Sequence, residues 1–273
     1  MIHIESDPCC VRATLDAPAT RNALDDRMLE GLLQALKRAE AEPGCRALVI
    51  RGAGATFCSG GDFGRFRALM DTSVPAGGAD PIVDFNRAFG GLLERIVNAS
   101  VATIAVVEGA AYGGGAGLAA CCDFVLAESA AKFAMPEVTL GLPPAQIAPF
   151  VAARIGESNA LRLMLTGRRI DAPEACALGL VDEVLAGASA LEQRLADLLA
   201  TLTRAEPAAL RSTKAILQHR RRHTMAATLD FAAEQFAKAL RSGMAGEGLA
   251  ASAARRVPAW AAGGARSGHE RKK

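Results

Sequence analysis

One stretch restricts the fold more than any other. The apolar run Thr103-Ile104-Ala105-Val106-Val107 leads into Gly109-Ala110-Ala111-Tyr112-Gly113-Gly114-Gly115-Ala116-Gly117, and small residues follow at Leu118-Ala119-Ala120-Cys121-Cys122. The run reads as a buried strand, and the segment after the glycines suits a tightly packed helix. This order leaves backbone N–H groups at a helix start with almost no side chain to screen them. Such a place receives a negative charge or a developing oxyanion.

The rest of the chain alternates in the same way. A strand near Val11–Leu15 and a turn-rich loop over Asp16–Asn22 precede a helix from about Asp25, with Met28, Leu29, Leu32, Leu33 and Leu36 on one face. Ala47–Ile50 reads as a buried strand running into a second glycine loop, Gly52 to Asp62, and Asp71–Asp80 reads as a mobile segment. A helix carrying Ile82, Phe85, Phe89, Leu92, Leu93 and Ile96 comes before the opening strand. Short strands are expected at Asp123–Ala127, Lys132–Ala134 and Val181–Val184, with helices over Pro143–Arg154, Ser158–Leu165 and Pro173–Leu178. From about Ser189 the pattern is helical only. The expected organisation is an α/β core over 1–195, a helical region over 196–262 and a disordered tail over 263–273.

Composition sets outer limits. Hydrophobic residues make up 51% of the 273 but aromatics only 4%, so the core must be aliphatic and Ala-rich. A formal net charge of +2 is too balanced for a nucleic-acid binder, and Arg220-Arg221-Arg222 reads as a solvated helix face. No signal peptide or membrane span is apparent. Seven cysteines without a C-x-x-C read as reduced core thiols of a cytoplasmic protein, and four scattered histidines argue against a metal site.

Two uses of the glycine turns fail on spacing. A dinucleotide fingerprint would need glycine at Leu118, or at Phe57 in the earlier loop, and no Walker lysine follows either. A nucleophilic elbow around Ser59 would also need glycine at Phe57. Close helix–strand packing alone is a further use of the glycines. Against it stands the second turn, Ser59-Gly60-Gly61, which also follows an apolar strand. Two such turns side by side aim two N–H groups at one carbonyl oxygen.

Phe57-Cys58-Ser59-Gly60-Gly61-Asp62, Gly109 to Gly115, Cys122-Asp123, Phe133-Ala134-Met135-Pro136-Glu137, Leu140-Gly141 and Ala177-Leu178-Gly179-Leu180-Val181-Asp182 resemble the enoyl-CoA hydratase/isomerase (crotonase) family, with the motifs in order from about Arg12 to Trp260. The resemblance implies a spiral of ββα units with a C-terminal helical trimerisation region, a homotrimer or a hexamer built as a dimer of trimers, and an acyl-CoA substrate. It implies no cofactor beyond the CoA of the substrate and no metal. It places the Gly61 and Gly114 N–H groups on the thioester oxygen, Arg21, Ser59 and Asp62 near CoA, and Arg255 on the CoA phosphates of a neighbouring subunit. Ser252 stands where the family often has an aromatic on the adenine. Losing one oxyanion donor typically raises a barrier by about 3–4 kcal/mol.

Of the two positions where the family commonly has glutamates, one matches Glu137, expected to be the acid/base with a raised pKa, and the other matches Gly117. A single glutamate is compatible with hydration, with Δ3,Δ2-enoyl-CoA isomerisation and with a hydratase-lyase. A catalytically silent acyl-CoA-binding relative and an RNA-binding side role are the non-enzyme alternatives. The stretch from Glu137 to Val151, with Leu142-Pro143-Pro144-Ala145-Gln146 inside it, and the glycine at 117 resemble the branch that hydrates 3-methylglutaconyl- and isohexenylglutaconyl-CoA. Gly117 would then leave volume for a 3-alkyl branch, and Gln146 is a candidate donor to the substrate's terminal carboxylate.

Overall fold

Alternating Ile2 and Ile4, half-buried between exposed His3 and Glu5, make a first strand ahead of the one expected from the sequence. In the computed structural model, which describes residues 1–74 and 77–262, β1 (Ile2–Asp7) pairs antiparallel with β2 (Cys10–Leu15). The expected tail over 263–273, and positions 75–76 of the expected mobile segment, lie outside the described residues.

α1 (Asp26–Ala41) starts where Asp25 accepts a hydrogen bond from Met28 N at 2.8 Å, and it buries Met28, Leu29, Leu32 and Leu36. β3 (Ala47–Gly52) leads through the glycine loop to α2 (Phe63–Met70), a helix the sequence reading did not contain. α3 (Pro81–Val97) is capped by Asp80, which accepts from Ile82 N at 2.8 Å, with Pro81 at its first position. β4 (Ala102–Val107), β5 (Ala110–Tyr112) and α4 (Gly114–Ala120) form the strand–turn–helix unit. β6 (Phe124–Glu128), β7 (Lys132–Ala134), α5 (Ala148–Ile155), α6 (Glu157–Thr166), β8 (Arg169–Asp171), α7 (Ala172–Ala177) and β9 (Glu183–Leu185) follow. α8 (Ala188–Thr203), α9 (Pro207–Arg220), α10 (Met225–Arg241), α11 (Met244–Ala253) and α12 (Ala259–Ala262) complete the chain.

Six strands form one sheet in the order β1-β2-β3-β4-β6-β9, parallel from β2 onward, and β5-β7-β8 form a second. The expected spiral is observed, since β4 and β5, then β6 and β7, step from the large sheet to the small one. Both faces of the large sheet are covered, which explains strands that are apolar throughout. Leu48 and Ile50 face the main core with α1 and α3. Ala47 and Val49 face the opposite side, where Leu191, Leu195 and Leu198 of α8 close a second cluster. The division expected after residue 195 falls inside this helix.

α9 is fastened to the sheet by Lys214, whose Nζ donates to Val101 O at 2.8 Å and pairs with Asp123 at 2.5 Å. Arg222 pairs with Glu94 at 2.9 Å, so the arginine run is exposed but not wholly free. The expected helix over Pro143–Arg154 begins only at Ala148. Two consecutive prolines disfavour helical backbone before them, so residues 142–144 are irregular and a turn over 145–147 precedes the helix.

Candidate active site

The two glycine turns lie side by side. Cys58 N donates to Ala110 O at 3.0 Å and Tyr112 N to Cys58 O at 2.9 Å, pairing the loop after β3 with β5. On its other edge that loop meets Leu24, whose N–H donates to Gly60 O at 2.7 Å and whose carbonyl accepts from Asp62 N at 3.3 Å. Leu24 thus bonds to both neighbours of Gly61, which turns the N–H of Gly61 to the opposite side. Gly114 opens α4, so its N–H has no partner within the helix. Among the described residues neither amide finds an acceptor, and both glycines line a cavity of about 640 Å³.

Glu137 lines the same cavity from the 3-10 turn Glu137–Leu140, behind Pro136. Burial pushes its carboxyl pKa above the ordinary 4.5, against a smaller downward pull from its own backbone N–H. Its Oε2 is buried with no hydrogen-bond partner among the described residues. Its Oε1 would lie 2.8 Å from a Cβ on Gly113, whose φ of +51° already favours glycine. Glu137 is the sole carboxylate among the described residues lining the cavity.

The space expected beside Gly117 is not there. A Cβ on Gly117 would stand 2.6 Å from Ile147 Cβ and closer still to its Cγ2, so Ile147 fills the position a second acid would need. Ile147 is 2% exposed. The residue before it, Gln146, lies in the turn rather than in a helix, and its Nε2 donates to Asn86 Oδ1 at 2.7 Å. Most of the remaining wall is apolar, with Phe66, Phe85, Phe89, Leu140 and Leu142 prominent. The Phe66 ring takes the place of a side chain on Gly61, its Cε1 lying 3.1 Å from where a Cβ would be.

The residues expected near CoA are only partly brought together. Ser59 lines the cavity, its N–H bonded to Arg21 O and its Oγ to Thr20 O, both at 3.0 Å. Arg21 is exposed at φ +54° and its side chain is not part of the wall. The Asp62 carboxylate is occupied as the cap of α2, accepting from Arg65 N at 2.7 Å. Arg255, at φ +50° in the break between α11 and α12, is exposed and outside this chain's cavity.

Sequence reasoning missed four residues. Asn22 is fully buried at φ +57°. It accepts from Ala17 N at 2.9 Å and donates to Ala53 O at 2.9 Å and Thr56 O at 2.7 Å, tying the loop that carries Arg21 to the one that carries Ser59. An Asn in a turn-rich loop is the signal that could have found it. Phe66 belonged to an overlooked amphipathic spacing, Phe63, Phe66, Leu69 and Met70 after the capping Asp62. Asn86 and Ile147 carried no local signal.

Comparison with known proteins places the whole chain. The family model described as enoyl-CoA hydratase/isomerase matches residues 8–263. The solved enoyl-CoA hydratase/isomerase from Marinobacter aquaeolei is 41% identical, with a TM-score of 0.91 over 95% of this chain and 98% of that one. Pseudomonas aeruginosa AtuE is 43% identical, with a TM-score of 0.90 over 95% and 99%. The enoyl-CoA isomerase/hydratase fer4 of Mycosarcoma maydis is 34% identical over 73% of each chain. With the family model spanning nearly the whole chain and these relatives alongside it, the chain belongs to the enoyl-CoA hydratase/isomerase family and is an enzyme of that kind.

Proposed function

We propose that this enzyme adds water across the double bond of an α,β-unsaturated acyl-CoA, with Glu137 as its only acid/base and the Gly61 and Gly114 N–H groups as the oxyanion hole. One observation carries the reading: a desolvated carboxylate with an oxygen unpartnered among the described residues shares a cavity with two amides that find no acceptor there. Glu137 takes a proton from water as the water oxygen bonds to C3. The π electrons move through C2 to the thioester oxygen, where the two amides hold the negative charge. The enolate then collapses, and C2 takes the proton back from Glu137, so one water is added and the carboxylate is regenerated.

The acyl group we infer is a branched one of the 3-methylglutaconyl or isohexenylglutaconyl type. Support comes from the Glu137–Val151 sequence and the apolar wall, not from space at Gly117, which Ile147 occupies. We assign the CoA side to the Arg21 loop and Ser59, with Arg255 approaching from a neighbouring subunit of a trimer or hexamer. Apolar side chains left exposed on α9, α10 and α11, including Leu217, Leu229, Phe236 at 67% and Leu249, support self-association. Seven free thiols support a cytoplasmic setting, and among the described residues no helix is long and apolar enough to cross a membrane.

Ile147 favours one second reading. With no acid at position 117 to hold water, the same glutamate suits Δ3,Δ2-isomerisation, moving a proton from C2 to C4. A panel of crotonyl-CoA, 3-methylglutaconyl-CoA, isohexenylglutaconyl-CoA and a 3-enoyl-CoA separates the two. Loss of conjugated-thioester absorbance with the glutaconyl substrates is the expected result. Gain of that absorbance from the 3-enoyl-CoA alone would establish the isomerase instead.

A further inference from the structure

Apolar side chains close on both glycines of the oxyanion turns. The Phe66 ring meets Gly61 end on: its Cζ is the atom nearest a Cβ position there, with Cε1 and Cε2 following at 3.1 Å each. Phe89 meets Gly114 in the same manner, its Cζ 3.2 Å and its Cε1 3.4 Å from the Cβ position. Leu24 Cδ1 stands 3.1 Å from that same point. The two rings come from different helices, α2 and α3, and both line the cavity.

Each of these side chains is braced from behind. Phe66 has the Phe63 and Phe85 ring centroids 6.1 Å away on either flank, the second edge to face at 82°. The Arg65 guanidinium lies over Phe85, 5.4 Å from its centroid, and pairs with Asp26 of α1 at 3.1 Å. Phe89 packs against the main core, and Leu24 is a buried member of it. The ring tips are therefore a fixed wall, since a close-packed interior yields little to an added carbon.

A thioester oxygen held by the Gly61 and Gly114 amides sits about 2.9 Å from each nitrogen. C2 of the acyl group is two covalent bonds from that oxygen, about 1.2 and 1.5 Å long. It is the first carbon of the chain beyond the carbonyl, in the space that the ring tips border. C3 lies one bond farther out, toward the rest of the cavity of about 640 Å³. A hydrogen on C2 fits beside the tips, whereas a methyl there overpacks an apolar wall that cannot retreat. We propose that Phe66 and Phe89 determine specificity by barring a substituent at C2, so that the enzyme takes acyl thioesters unbranched at C2 and admits a branch at C3. The proposal rests on the enoyl-CoA reading and concerns a carbon for which that reading names no contact.

Calorimetric titration with 3-methylbutyryl-CoA and 2-methylbutyryl-CoA tests the wall without catalysis. The two are isomers that differ only in where the methyl branch sits, and neither saturated thioester can be hydrated. The wild-type protein is expected to bind the 3-methyl isomer about 10- to 100-fold more tightly than either enantiomer of the 2-methyl one, the range for one carbon in an apolar pocket. Phe66→Ala should bring the two affinities to within about 3-fold of each other, and Phe89→Leu should narrow the ratio by less. A merely structural role would weaken both ligands together and leave their ratio unmoved. Equal wild-type affinity for the isomers overturns the proposal, as does a wild-type preference that persists undiminished in both variants. If neither isomer binds, the acyl-CoA reading falls and the proposal with it. Failure to turn over any enoyl-CoA with the expected ratios intact counts against the hydratase reading alone.

Discussion

Gly117 and Ile147 occupy one site between them. The isoleucine fills the space that any side chain at 117 would enter, with 2.6 Å from its Cβ to a hypothetical Cβ there. The glycine is therefore half of a packing pair and not simply a lost acid. Gly117→Glu should cost more than the about 1–3 kcal/mol typical of overpacking, because it also buries a charge. The double variant Gly117→Glu/Ile147→Gly should recover a large part of that loss in urea unfolding. Equal stability of the single and double variants would show that the two positions are not coupled.

The pH profile follows from Glu137. The proposed hydration needs its carboxylate form, so kcat/KM should fall as pH drops through a pKa above the ordinary 4.5. For stability the sign is opposite. A carboxyl whose folded pKa is raised favours folding fully below its unfolded pKa, and that contribution is lost as pH rises through the folded value. Wild-type stability relative to Glu137→Gln should therefore decline with rising pH across this window. A difference that is flat, or that grows with pH, would contradict burial as the cause of the shift.

Asn22 joins the two loops that present Arg21 and Ser59. Replacing it by Leu strands a backbone N–H and two carbonyls, at about 1–3 kcal/mol for each group left unsatisfied. We expect a lower melting temperature and, where the protein still folds, a raised KM for acyl-CoA. An unchanged KM would show that the loop holds its place without this side chain.

Gly113 combines a left-handed φ with an approach to Glu137 Oε1. Gly113→Ala should cost about 1–3 kcal/mol of backbone strain and also displace the carboxylate. Stability and kcat should fall together, and a fall in stability alone would separate the glycine from the chemistry.

Much of this was legible in the sequence, but unevenly. The glycine turns and the strand–helix order could be read because local spacing determines them, and the capping Asp25 marked the start of α1, whereas Glu137 stood out only through the family resemblance. α2 was missed because Phe63, Phe66 and Leu69 face the cavity rather than a conventional core. The Pro143–Arg154 helix was overextended because apolar periodicity hid the effect of two prolines. Ile147 against Gly117, and Gln146 against Asn86, bring together segments far apart in the chain, and no local pattern encodes such pairings.

The central claim is that one carboxylate does all the proton transfer. Its most direct test is single-turnover hydration by Glu137→Gln, which preserves the shape of the side chain but cannot accept the proton. The rate should fall by about 10²- to 10⁴-fold, with acyl-CoA affinity nearly unchanged. A Glu137→Gln enzyme that hydrates at the wild-type rate would contradict the account.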